Sequence, residues 1–120
     1  MNCLDTYALM EVSVGNQKFS ELMKEEFVIT DLTMAEFYVV LVNKHNKQTA
    51  EYWHRKLAAF CKPLTRQTLI QALVFREENK KQDISVFDAA GYTFAKDNNH
   101  TFVTGDKAFK GKEAVLFLQK

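Results

Sequence analysis

Five short apolar or β-branched runs punctuate this chain, and segments of helical spacing or turns separate them. The runs are Asn2-Cys3-Leu4, Phe27-Val28-Ile29, Cys61 to Leu64, Thr101 to Thr104 and Ala114 to Leu118. Alternation of short apolar strands with helices predicts an α/β fold, a mostly parallel sheet covered on both faces. In such sheets functional groups gather beyond the carboxyl ends of the strands, near the point where strand order reverses. A chain of 120 residues fits one domain, residues 1–120, with a single core. No internal repeat and no Pro-, Gly- or Ser-rich linker divides it.

The helical segments read in order. Tyr7 to Met10 is a short helix stopped by Gly15-Asn16, and Lys18 to Glu26 is helical with Phe19, Leu22 and Met23 in register. Thr33 and Glu36 form an S/T-x-x-E capping box, which predicts a helix start there with Met34, Phe37, Tyr38 and Leu41 on its apolar face. After a polar joint comes a helix bearing Ala50, Trp53, Leu57 and Phe60. Pro63 cannot donate to a ladder, so Cys61 to Leu64 is at best an edge strand. Thr65 to Asn79 is helical, with Leu69, Ile70, Leu73 and Val74 read as inward. Ser85 opens the last helix, and Gly91 inside it predicts close packing against a strand.

Composition narrows the function. A net charge of +1 gives no overall electropositive field, so nucleic-acid binding would need a local patch or a metal ion. Cys3 and Cys61 lack metal-ligand spacing and read as buried free thiols of a reducing compartment. No basic-then-apolar N-terminus and no apolar run of about 18 residues is present, so the expectation is a soluble, cytoplasmic protein.

Four acids stand out, and each has a bland explanation. Asp5 follows the first strand and can cap the next helix. Glu36 is accounted for by the capping box. Asp88, three residues after Ser85, fits a helix start, and Asp106 in Thr-Gly-Asp-Lys fits a turn. Together they are harder to dismiss. The topology puts the first-strand end, two helix starts and the fourth-strand end on one rim, where four carboxylates repel one another. A divalent cation supplies a reason to accept that, and hard oxygen ligands suit Mg²⁺ or Mn²⁺. His45, His54 and His100 are scattered and read as surface or core residues.

With these motifs the chain resembles the PIN-domain nucleases, and more narrowly the VapC-type toxins of prokaryotic toxin–antitoxin pairs. The resemblance runs over essentially the whole chain and rests on LDTYAL with Asp5, TMAEFY with Glu36, FDAAGYTFA with Asp88 and FVTGDKAF with Asp106. It implies a three-layer α/β/α fold with strand order 3-2-1-4-5. It implies Mg²⁺- or Mn²⁺-dependent hydrolysis of RNA, with Asp5, Asp88 and Asp106 as metal ligands. Glu36 then completes the pocket, as a ligand or by holding one of the ion's waters. Thr6 and Thr104 fall where hydroxyls orient the carboxylates. A partner antitoxin and a toxin homodimer are also implied. Tyr7 departs from the pattern, since many relatives carry a small polar residue there.

Lys107, Lys110 and Lys112 follow Asp106 closely and could contact RNA phosphates, or simply be a solvated turn. Tyr7 and Tyr92 could stack on unpaired bases, although core packing is the commoner role. Leu9, Met10, Val12 and Val14 offer either core or a groove for a partner helix. Among rivals, a phosphorelay receiver domain wants adjacent acids after the first strand and an Asp at the end of the third, whereas here Asp5 stands alone and Cys61 to Leu64 ends without an Asp. A housekeeping RNA-processing PIN domain, or an inactive PIN fold kept as an interaction module, stays compatible with the residues.

Overall fold

The central strands are the most deeply buried, and the two edge strands are not. In a computed structural model describing Met1–Lys120, β1 (Asn2–Leu4) lies at the centre of a five-stranded sheet, flanked by β2 (Phe27–Thr30) and β4 (Thr101–Thr104). The edges are β3 (Cys61–Lys62) and β5 (Val115–Phe117), giving the order β3-β2-β1-β4-β5. Every pairing is parallel, so the expected mostly parallel sheet is wholly so. β3 stops before Pro63, whose missing N–H cannot extend the ladder.

Strand alternation divides the core in two. Leu4, Phe27, Ile29 and Val103 face α1 (Thr6–Ser13), α2 (Gln17–Ser20), α3 (Asp31–Lys44) and α4 (Lys47–Leu57). Cys3, Val28 and Phe102 face α5 (Arg66–Glu78) and α6 (Val86–Asp97). Helices on both faces of one sheet make three layers, with the period of two in each strand feeding both cores. Cys3 is buried and Cys61 half-buried, both as free thiols.

Two local expectations shift. The helix expected over Lys18 to Glu26 begins as α2 and tightens into a 3-10 turn over Glu21–Lys24. The capping box at Thr33 and Glu36 does not form. Thr30 caps α3 instead, its Oγ1 accepting from the Thr33 N–H at 3.1 Å. A hydroxyl at the end of β2 already satisfies the orphan N–H, so Glu36 sits in the second turn with no capping duty.

The largest departure concerns α5. Leu69, Ile70, Leu73 and Val74 do not point inward; they are 37%, 50%, 50% and 52% exposed. Thr68 and Ala72 form the buried side of α5, against α6. Small residues there let two helices approach closely, and Ala89, Ala90 and Gly91 answer them from α6. Nor do Leu9, Met10, Val12 and Val14 build a groove: Leu9 and Val12 are core, Met10 is half-buried, and Val14 alone is exposed.

Gly91 does pack against a strand. A Cβ placed there would stand 2.8 Å from Cε1 of Phe102, a buried ring on β4 wedged against Phe109. Gly91→Ala is therefore expected to destabilise the protein by about 1–2 kcal/mol, overpacking outweighing the better helix propensity of Ala. A urea midpoint equal to or above that of the parent would contradict this.

Candidate active site

Neighbouring parallel strands place two acids side by side. β1 and β4 pair in register from Asn2 with Thr101 to Leu4 with Val103, and the connections leave β1 and β4 in opposite directions across the sheet. That is the reversal point of the strand order, where a crevice opens at the carboxyl ends. Asp5 follows β1 directly, its N–H donating to the Val103 carbonyl at 3.1 Å. Asp106 comes two residues after β4, its N–H donating to Thr104 Oγ1 at 3.0 Å.

Asp5 is 2% exposed and also caps α1, its Oδ1 accepting from the Ala8 N–H at 2.8 Å. Burial raises its carboxyl pKa to about 7, and the charges of Asp106 and Glu36 add to the rise, while bonds from Thr104 and the Ala8 N–H oppose it. Asp88 is half-buried in the first turn of α6, where Ser85 Oγ accepts from its N–H at 3.0 Å. Its pKa is pushed to about 8, by burial first and then by Asp5, Asp106 and Glu36. Glu36 reaches the group from α3, accepting a hydrogen bond from the Thr6 hydroxyl.

Asp5 and Asp88 thus both feel the charges of Asp106 and Glu36. The three ion pairs of the molecule, Lys24–Glu21, Lys96–Glu113 and Lys120–Glu11, involve none of them. No three of the acids stand close enough together to form a ready-made ligand cage. The donor set itself suits a hard divalent cation: carboxylate oxygens with hydroxyl partners, no thiolate or imidazole among them, and uncompensated negative charge. Thr6 touches Glu36, and Thr104 touches both Asp5 and the backbone of Asp106.

The basic residues differ from one another. Lys107 is exposed one residue past Asp106, and no ion pair holds it. Lys110 and Lys112 extend over the rings of Phe117 and Phe75, at 5.5 and 5.8 Å. Tyr92 is buried and spends its hydroxyl on the Glu113 carbonyl, so it offers no face to a base. A surface cleft of about 790 Å³ lies elsewhere, between α3 and α4 beside Met34, Tyr38 and His54.

Gly105 is the residue that the sequence pattern missed. A Cβ there would lie 2.5 Å from Cε1 of Tyr7. The Tyr7 ring rests on the turn that carries Asp106, backed by Phe19 at 5.9 Å. The Tyr7 hydroxyl accepts from the Lys120 N–H at 3.1 Å, and Gln119 Nε2 donates to the Gly105 carbonyl at 2.9 Å. Tyr7 stands where a small residue was expected, and Gly105 leaves room for it. A bulky residue two positions after the first acid, set against a Gly one position before the last, was the available signal.

Two outcomes follow from this geometry. Carboxyl pKa values raised on folding mean that the native state holds protons the unfolded chain has released. The contribution of these two carboxyls to metal-free stability is then fullest below about pH 4 and is lost as pH rises towards the folded values near 7 and 8. Asp88→Asn should flatten that fall and raise metal-free stability at pH 7.5 by about 1–2 kcal/mol, read by thermal melts across pH. In a second test, Gly105→Ala should lower the melting temperature, and adding Tyr7→Ser should recover most of the loss. An equal loss in the double variant would show that the ring is not the obstacle.

Comparison with known proteins agrees with this architecture. Three solved structures superpose over nearly the whole chain. A toxin–antitoxin complex from Klebsiella pneumoniae has a TM-score of 0.79 at 18% identity, covering 97% of this chain and 96% of its own. VapC20 of Mycobacterium tuberculosis, described as a sarcin–ricin loop cleaving toxin, scores 0.79 at 13% identity over 92% and 95%. FitAcB from Neisseria gonorrhoeae scores 0.73 at 19% identity over 98% and 97%. At such identities the likeness is one of fold. Curated protein sequences give no match. The PIN domain profile matches residues 3–114, nearly the full length, and on that match the chain belongs to the PIN domain family.

Proposed function

We propose that this chain is a divalent-metal-dependent endoribonuclease, the toxin of a toxin–antitoxin pair. What supports the reading is the convergence of Asp5, Glu36, Asp88 and Asp106 at the strand-order reversal, where no basic side chain pairs with them and burial raises the Asp5 and Asp88 carboxyls. Structural acids are ordinarily placed to stay charged at little cost. These are held where charge is expensive until something positive arrives.

In this reading Asp5, Asp88 and Asp106 hold Mg²⁺ or Mn²⁺, with Glu36 as a further ligand or a hold on a coordinated water. When bound, the ion activates water and stabilises charge at the scissile phosphate. The chain's own residues set the stage for it. Asp5 and Asp88 would hold the ion as carboxylates, so their raised pKa values would couple ion uptake to proton release near neutral pH. Thr104 and the Ala8 N–H fix the Asp5 carboxylate, and Thr6 fixes Glu36. Lys107, and Lys110 from its perch on Phe117, meet the RNA backbone and make binding salt-dependent.

The partners are an RNA substrate, an antitoxin that covers the pocket, and a second copy of the chain. The toxin–antitoxin character of the Klebsiella pneumoniae neighbour supports the antitoxin. No helix is long and apolar enough to cross a membrane, and we take the chain to act in the cytoplasm.

Purified protein should cleave RNA with Mg²⁺ or Mn²⁺ and stop on chelation. Asp5→Asn, Asp88→Asn, Asp106→Asn and Glu36→Gln should each lower cleavage by about 100-fold or more while keeping the native circular dichroism. Metal-dependent cleavage that persists undiminished in all four variants would sink the assignment.

A further inference from the structure

The start of α1 deals with three of the four rim acids through three consecutive residues. Asp5 caps the helix, Thr6 donates to Glu36, and the ring of Tyr7 closes on Gly105, next to Asp106. Consecutive residues of a helix point about 100° apart, so a single turn can reach in three directions.

Asp106 is held differently from Asp5. Its N–H donates to Thr104 Oγ1 at 3.0 Å, and its Oδ1 accepts from the Ala108 N–H at 2.9 Å. Both partners lie within two residues along the chain, so these bonds fix the shape of the turn rather than its stand relative to α1. Contacts from farther away in the chain fix that. The Tyr7 ring leaves no room for a Cβ on Gly105, with three ring atoms at 2.5 to 2.7 Å from where one would stand. The segment that follows β5 grips the same turn. Leu118 N–H donates to the Thr104 carbonyl at 2.9 Å, and Gln119 Nε2 donates to the Gly105 carbonyl at 2.9 Å. Lys120 N–H then donates to the Tyr7 hydroxyl at 3.1 Å, and Lys18 of α2 donates to the Gln119 carbonyl. The ring is thus held at its hydroxyl by the segment that also holds Gly105.

We infer that Tyr7 is a positioning residue: its ring, wedged into the space Gly105 leaves and held at its hydroxyl by the segment after β5, sets where the Asp106 carboxylate stands relative to Asp5. The consequence for a cation rests on the metal site of the proposed function, since a displaced Asp106 leaves a divalent ion short of a well-placed oxygen. The clamp itself belongs to the metal-free chain and is read without an ion.

Amide hydrogen exchange of the metal-free protein, followed by NMR, reads the clamp. The reporters are the Asp106 and Ala108 N–H groups, and the Phe102 N–H, bonded to the Ala114 carbonyl on the far side of β4, reports general opening of the sheet. Tyr7→Ala should speed the reporters by about tenfold or more relative to Phe102, whereas Tyr7→Phe, which keeps the ring, should stay close to the parent. Gln119→Ala, which leaves the ring in place, should fall between them. Mn²⁺ alone, titrated by water-proton relaxation below the melting temperature of each variant, reads the consequence. Tyr7→Ala should raise the Kd for Mn²⁺ by about tenfold or more, and Tyr7→Phe should bind like the parent.

Reporters that only keep pace with Phe102 in Tyr7→Ala overturn the inference, and so does an unchanged Mn²⁺ affinity in that variant. Losses in Tyr7→Phe as large as those in Tyr7→Ala overturn the assignment to the ring. Asp88→Asn, run in parallel, should weaken Mn²⁺ binding and leave the exchange of the turn as it is. A parent that takes up no Mn²⁺ sinks the metal site, and the exchange rates then decide the clamp by themselves.

Discussion

Electrostatic repulsion among acids that the fold forces together is the constraint on which the rest of the structure depends. Asp5 cannot move away from Asp106, because β1 and β4 are paired to the end and each acid follows its strand within two residues. Asp88 and Glu36 come in from opposite layers of the sandwich. Much of the surrounding detail serves to hold these groups in spite of the repulsion: the Ala8 N–H on Asp5, Ser85 under Asp88, Thr6 on Glu36, Thr104 between the strand ends. The core on either side is rich in rigid aromatic contacts, such as Phe102 against Phe109 and Tyr92, and these keep the frame from relaxing. A frame that resists relaxation is what preorganises a site for a cation.

Much of this frame was readable in the residues. The strands appear as short apolar runs, since buried parallel strands need no polar alternation. Their order followed from a family resemblance, because nothing in the spacing of such runs says which neighbour each strand takes. Asp5 shows why a bland explanation and a functional one need not compete: it does cap α1, and it also stands at the rim with the other acids. Glu36 shows the reverse. Its capping box looked complete, yet Thr30 took the capping role from the end of β2 and left Glu36 to Thr6.

The misreading on α5 has a general cause. Helical periodicity identifies an apolar face and is silent about what that face meets. Leu69, Ile70, Leu73 and Val74 satisfy the pattern as well as any core helix, but the side that packs on α6 is built of Thr68 and Ala72. Close helix approach selects small residues, and a hydrophobicity count overlooks them. Gly105 escaped notice for a related reason: a turn glycine is too ordinary to attract attention until the Tyr7 ring is found occupying the volume of its absent side chain.

The placement of β1 carries a consequence in time. Its two neighbours in the sheet are β2, made soon after it, and β4, made close to a hundred residues later. A ribosome adding about 5–20 residues per second needs roughly 5–20 s to pass from Asp5 to Asp106. Throughout that interval the crevice has one wall, and its acids are held by nothing from the opposite strand. A nascent chain built this way lacks the complete four-acid rim while it is being translated. The rim closes in a single late step, when β4 slots in beside the first strand synthesised.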